Sequence, residues 1–147
     1  MPAPQESPPS LTMLTPYLLS KVGKAARGLV ADRLAARGLR LWHMAALASL
    51  ADHGPQVQRS LASRLAVHPS DMAKVLDDLA RRDWVDRTRD AADRRRVTVA
   101  LTERGRAVLA ELTAEAEAVE AELLAPLDPD DQVALRRLLL RVHDALR

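Results

Sequence analysis

The chain has 147 residues, 48% of them apolar, and 22 basic against 20 acidic side chains give a net charge of +2. That composition excludes a disordered polymer and suits one compact domain, with or without long dimerisation arms. With no cysteine, disulfides, thiol chemistry and Cys-built metal or iron–sulfur sites are excluded as well.

In chain order, residues 1–11 carry four prolines, two serines and no apolar period, which predicts a disordered or extended tail. No basic-then-apolar leader is present, and no apolar run nears the roughly 20 residues that span a bilayer. The expectation is therefore a soluble, cytoplasmic protein with no membrane partner. Thr15-Pro16 reads as a helix start, Thr as N-cap and Pro as first helical residue. Leu18, Leu19, Val22, Ala25, Ala26, Leu29, Val30 and Leu34 then follow at three- and four-residue spacing. They form one apolar stripe, closed by Gly38. A second helix is predicted over 41–51, apolar on most sides, and Asp52-His53-Gly54-Pro55 is a turn.

Residues 58–66 predict a short helix with Leu61, Ala62 and Leu65 inward, and residues 69–82 a further one with Met72, Val75, Leu76 and Leu79 buried. Two short helices joined by the link Val67-His68-Pro69 make a helix-turn-helix. Next, residues 84–89 and 95–101 have strand character on either side of an Asp90–Asp93 turn. An arginine-tipped hairpin directly after a helix-turn-helix reads as a wing. Thr102 caps a long helix ended by Pro126, and Asp128-Pro129 opens a last one with Val133, Leu135, Leu138, Leu139, Val142 and Leu146.

Charge sorts along this order. Residues 57–105 hold 11 basic and 8 acidic side chains, and residues 106–147 hold 5 and 9. The basic middle is the candidate anion-binding part. An α-helix fits the major groove of duplex DNA. The face opposite the buried stripe of residues 69–82 carries Ser70, Ala73, Lys74 and Asp77. Ser70 and Lys74 are the candidate groove contacts, and Pro69 with the first free amides can meet a phosphate. Arg94 and Arg95 suit the electronegative minor groove, with Asp93 available to orient one of them. For Arg64, Arg82 and Arg87, phosphate contact and plain solvation both remain open. Trp42 fits either a core position or an effector pocket, and Tyr17 either a ligand or a partner chain. His43, His53, His68 and His143 lack ligand spacing such as HxxxH, so no metal or other cofactor is expected. No GxSxG, P-loop, HExxH or DxDxDG pattern appears, so an enzyme is not expected.

These residues together resemble the MarR family of transcriptional regulators. Four stretches carry the likeness: Gly38 through Leu50, Leu61 through Ser70, Leu79 through Arg87, and Asp90 through Gly105. The wing stretch is the most specific. The resemblance implies a mainly α (α+β) fold, a winged helix-turn-helix with a two-stranded wing and long helices forming a dimerisation region. It implies one domain over 12–147, with a DNA-binding lobe over 40–105 and dimerisation helices over 12–37 and 106–147. It further implies a homodimeric repressor that reads a near-palindromic duplex, recognition helix in the major groove and wing arginine in the minor groove. Release by a small aromatic or acidic effector is implied too, with Tyr17, Trp42 and His43 as candidate contacts. Asp71 and Ala73 depart from the hydroxyl residues many members carry, and Asp83 stands where Gly is frequent. Asp71 and the near-neutral charge keep a second reading in view, a winged-helix protein-interaction module without DNA binding.

Overall fold

Prolines open, and left-handed residues close, most of the helices. The computed structural model describes residues 6–147; the first five positions of the expected tail lie outside the described residues. Within the rest of that tail, α1 (Pro9–Thr12) is one helical turn, a correction to the extended reading of positions 9–11. Its Leu11 and Thr12 amides donate to the Pro8 carbonyl at 2.9 and 3.2 Å. Pro9 stands in the first turn, where a missing amide leaves nothing unpaired. α2 (Thr15–Ala35) begins one residue earlier than expected. The Leu18 amide donates to Leu14 O at 3.2 Å, so Thr15 is helical rather than a cap. Gly38, at φ +71°, ends the run, and the Leu39 amide donates back to Leu34 O at 2.9 Å.

α3 (Leu41–His53) runs two residues past its expected end and stops at Gly54. β1 (Gln56–Val57) was not legible, because two residues cannot show alternation. The rest of the lobe is α4 (Gln58–Arg64), α5 (Pro69–Arg81), β2 (Val85–Arg89) and β3 (Val97–Leu101). β3 is central in the antiparallel order β1-β3-β2. Gln56 faces Val99, and Val85 faces Leu101. The expected two-stranded wing is thus rooted in a three-stranded sheet. α6 (Glu103–Leu123) and α7 (Pro129–Ala145) complete the chain. The Asp128 carboxylate accepts the Asp131 amide at 2.8 Å as the cap of α7.

Residues 27–115 form one compact unit. It takes in the second half of α2 and the first half of α6, beyond the 40–105 span suggested by the sequence. Its core is continuous: Leu34, Leu39, Leu47, Leu50, Leu61, Met72, Leu76, Leu79, Val99 and Leu112 are buried together. The helix-turn-helix lies in this unit, and so does the whole hairpin.

The second unit, residues 6–26 with 116–147, is built differently. Gln132 Nε2 donates to the carbonyls of Leu124 and Leu127, each at 3.1 Å, and Arg136 pairs with Glu120, which latches the α6–α7 turn. α7 has no buried residue. Among the described residues, no helix is long and apolar enough to cross a membrane.

Candidate nucleic-acid interface

Burial decides which face of α5 is offered outward. Met72, Val75, Leu76 and Leu79 are buried, as their spacing predicts, while Ser70, Asp71, Lys74 and Asp77 are exposed and Ala73 is half-buried. Pro69 occupies the first turn, and the preceding residue, His68, is the cap: its Nδ1 accepts the Ser70 amide at 3.1 Å. The Ser70 hydroxyl lies 2.7 Å from the same nitrogen. His68 escaped the sequence reading because histidine is not among the usual capping residues. Asp77, on that exposed face, is ion-paired with Arg87 at 2.6 Å, so the two tie α5 to β2. Lys74 and Arg64 carry no ion pair among the described residues.

The hairpin tip is tightly organised although it is exposed. Asp90 Oδ1 accepts the amides of Ala92 and Asp93, and the Asp90 amide donates to Arg96 O at 2.8 Å. The two amide bonds, Ala92 first, hold the Asp90 carboxyl below its ordinary range. Arg89 donates to Arg94 O at 2.8 Å. Asp93 orients Arg95, whose Nε lies 3.1 Å from Oδ1, and that bond lowers the Asp93 pKa. The Arg94 side chain is exposed and carries no ion pair among the described residues. Two arginines of the tip are therefore braced, Arg95 by Asp93 and Arg96 by Asp90, and Arg94 is left unpaired among the described residues.

The stem of the hairpin is clasped by residues the sequence reading had not joined. Thr102 Oγ1 donates to Asp83 O at 2.6 Å and accepts the Gly105 amide at 3.0 Å. One hydroxyl thus caps α6 and secures the end of α5. Asp83 holds φ +61°, the left-handed turn its side chain tolerates. A Cβ at Gly105 would collide with the Trp84 carbonyl. The Arg82 guanidinium lies 5.0 Å from the centroid of the Trp84 ring, which packs half-buried against the core.

Beneath α5, His43 is 4% exposed and has both ring nitrogens engaged. Nδ1 accepts the Arg40 amide at 2.9 Å, which puts the proton on Nε2, 3.0 Å from Asp78 Oδ2. Burial lowers the His43 pKa and outweighs the attraction of Asp78. Burial pushes the Asp78 carboxyl up, but the hydrogen bond from Arg81, the charge of Arg82 and its hydrogen bond together hold it below its ordinary value. This strut belongs to the scaffold. His43 does not line the cleft beside Trp42.

That cleft, ≈430 Å³, is lined by Ala31, Asp32, Ala35, Leu39, Arg40, Leu41 and Trp42. Trp42 is 43% exposed, so its indole is a wall of the cleft and not part of the core. Tyr17 belongs to the other unit, where its hydroxyl donates to Ser7 Oγ at 3.0 Å and Lys21 lies over its ring.

Comparison with known proteins places this arrangement. A profile of the MarR family matches residues 41–97, the stretch from α3 into β3. The transcriptional repressor NicR of Pseudomonas putida is 32% identical over 67% of this chain. A probable transcriptional regulator of Pseudomonas aeruginosa, known from its crystal structure, is 32% identical with a TM-score of 0.72, over 90% of this chain and 98% of that one. The chain belongs to the MarR family. Its relation to individual MarR-family members is partial in one respect: it spans 63% of the length of NicR. BpsR of Bordetella bronchiseptica, described for regulation of its DNA binding by 6-hydroxynicotinic acid, is 25% identical with a TM-score of 0.73, over 87% of this chain and 97% of that one.

Proposed function

We propose that this MarR-family chain is a cytoplasmic, homodimeric repressor that binds a near-palindromic duplex and releases it when a small aromatic acid enters the Trp42 cleft. The observation that carries the reading is a convergence within one compact unit. The exposed face of α5 offers Ser70 and Lys74, and the braced hairpin tip offers Arg94 and Arg95. A helix for the major groove beside long cations for the minor groove is the layout of a duplex reader. Arg64 and the first turn at Pro69 supply phosphate contacts, whereas Asp77 and Arg87 act by holding α5 to the sheet.

Two further observations support the assembly and the effector. Leu138, Leu139, Leu140 and Val142 of α7 are 42–56% exposed, an apolar surface that a second copy covers by symmetry. In the cleft, Trp42 offers a stacking face and Arg40 a partner for a carboxylate. The BpsR description supports that ligand class.

The test is titration of the full chain against duplex from its own upstream region at several salt concentrations. Affinity is expected to fall steeply with salt as phosphate counterions are released. Replacing Arg94 and Arg95 together by Ala is expected to weaken binding on the order of 100-fold, with the dimer intact. Salt-insensitive binding, or a double variant that binds as before, overturns the reading. A chain that binds no duplex at all favours the protein-interaction module instead.

A further inference from the structure

We propose that Ser70 reads DNA solely as a hydrogen-bond acceptor, with His68 fixing that polarity. α5 then selects an exocyclic amino group, adenine N6 or cytosine N4, at the point in the major groove that Ser70 meets. The inference rests on α5 lying in that groove, as argued above.

The chain of reasoning is one of protons. An amide N–H only donates, so the 3.1 Å bond from the Ser70 amide requires a lone pair on His68 Nδ1. The Ser70 oxygen stands 2.7 Å from the same nitrogen, close enough to share its one lone pair with the amide. Two lone pairs at that distance repel, so the hydroxyl proton must point at Nδ1. A serine hydroxyl has one proton, and here the capping histidine consumes it. What Ser70 turns outward is lone pairs alone.

In the major groove the donors are adenine N6 and cytosine N4, while guanine N7 and O6, adenine N7 and thymine O4 are acceptors. A free serine hydroxyl rotates to meet either kind, but this one meets only donors. The neighbouring Asp71 is exposed and, as a carboxylate, accepts in the same sense. Lys74 lies one turn further on, about 6 Å along the helix axis, and only donates, so it suits guanine O6 or N7. Asp77 does not blur this pattern, because Arg87 engages it. The reading face therefore has an accepting end and a donating middle.

The experiment removes single functional groups from DNA. A duplex is first recovered by selection from a random pool on the full chain. Adenines are then replaced, one symmetric pair at a time, by purine lacking the N6 amino group, and cytosines by the analogue lacking N4. Separate duplexes lose acceptors by 7-deaza substitution of the purines. Deletion of one amino group is expected to weaken the wild type on the order of fivefold and to leave Ser70→Ala unaffected by the same deletion. His68→Ala frees the hydroxyl to rotate, so the sensitivity shrinks. His68→Asn restores it, because its carboxamide oxygen accepts both Ser70 donors and still caps α5. Sensitivity shared between Ser70 and an acceptor atom overturns the proposal, as does a duplex on which no group couples to Ser70 or a His68→Ala chain with unchanged sensitivity. If the pool yields no bound duplex, the DNA-binding reading itself fails, and this inference with it.

Discussion

The unit of residues 27–115 and the unit of residues 6–26 with 116–147 draw on the same Leu, Ala and Val vocabulary and do opposite things with it. In the first, Leu47, Leu61, Met72, Leu76 and Leu79 are fully buried around one core. In the second, α7 buries none of its side chains, and Leu18, Leu19 and Val22 on α2 are about half exposed. Amphipathic periodicity is present in both. Apolar spacing specifies that a face must be covered, and what covers it is decided by the elements within reach. The first unit surrounds its helices with a sheet and neighbouring helices; the second leaves the α7 stripe exposed.

The sharpest way to break that contrast is to substitute leucines in each region. Leu76→Ala in the closed core should destabilise the fold by about 2–5 kcal/mol in urea unfolding. Charging the open face with Leu139→Glu and Leu140→Glu should weaken self-association by at least about 2 kcal/mol in sedimentation. The same pair should leave unfolding of the lobe within about 0.5 kcal/mol. Lobe unfolding that moved with both would merge the two regions. Gly105→Ala should destabilise by about 1–3 kcal/mol, because the added methyl meets the Trp84 carbonyl, which is backbone and yields little.

Acid should find the lobe through His43. Its folded pKa lies below the ordinary 6.5, so the unfolded chain binds the proton more readily. Stability is full above about pH 6.5, is lost as pH falls through that value, and levels off below the folded pKa. A Tm-against-pH series should show this step in the wild type and a flatter profile in His43→Gln. Asp78 contributes in a separate window, since its lowered pKa gives stability above the ordinary 3.8 that is lost only in stronger acid. The smallest effect is a gain. Ala66 closes α4 at φ +54°, strained for a residue with a Cβ. Ala66→Gly should stabilise by about 0.5 kcal/mol net of glycine's extra chain entropy.

What the sequence disclosed follows from how local each signal is. The buried stripe of α5 and the cap at Asp128 are written within a few residues, and each was read in place. β1 was invisible because its two residues acquire strand character only by pairing with β3, some forty positions away. The strut from His43 to Asp78 and the clasp from Thr102 to Asp83 join residues 35 and 19 positions apart, and nothing in either local pattern announces the partner. The candidate site divides the same way. The exposed placement of Ser70, Lys74, Arg94 and Arg95 was legible from spacing and charge, whereas the engagement of Asp77, Arg87 and His43 was set by their tertiary neighbours.

The scarcity of aromatic rings turns this division into an optical one. There is no phenylalanine, both tryptophans lie in the lobe, and the single tyrosine lies in the other unit. Red-edge excitation therefore lights the lobe alone, Trp42 from the cleft and Trp84 from the hairpin stem. Tyrosine emission at shorter wavelength reports the remaining unit. Melting of each part is separable by colour in an unlabelled sample, and retaining either tryptophan singly gives the cleft and the hairpin stem their own native probes.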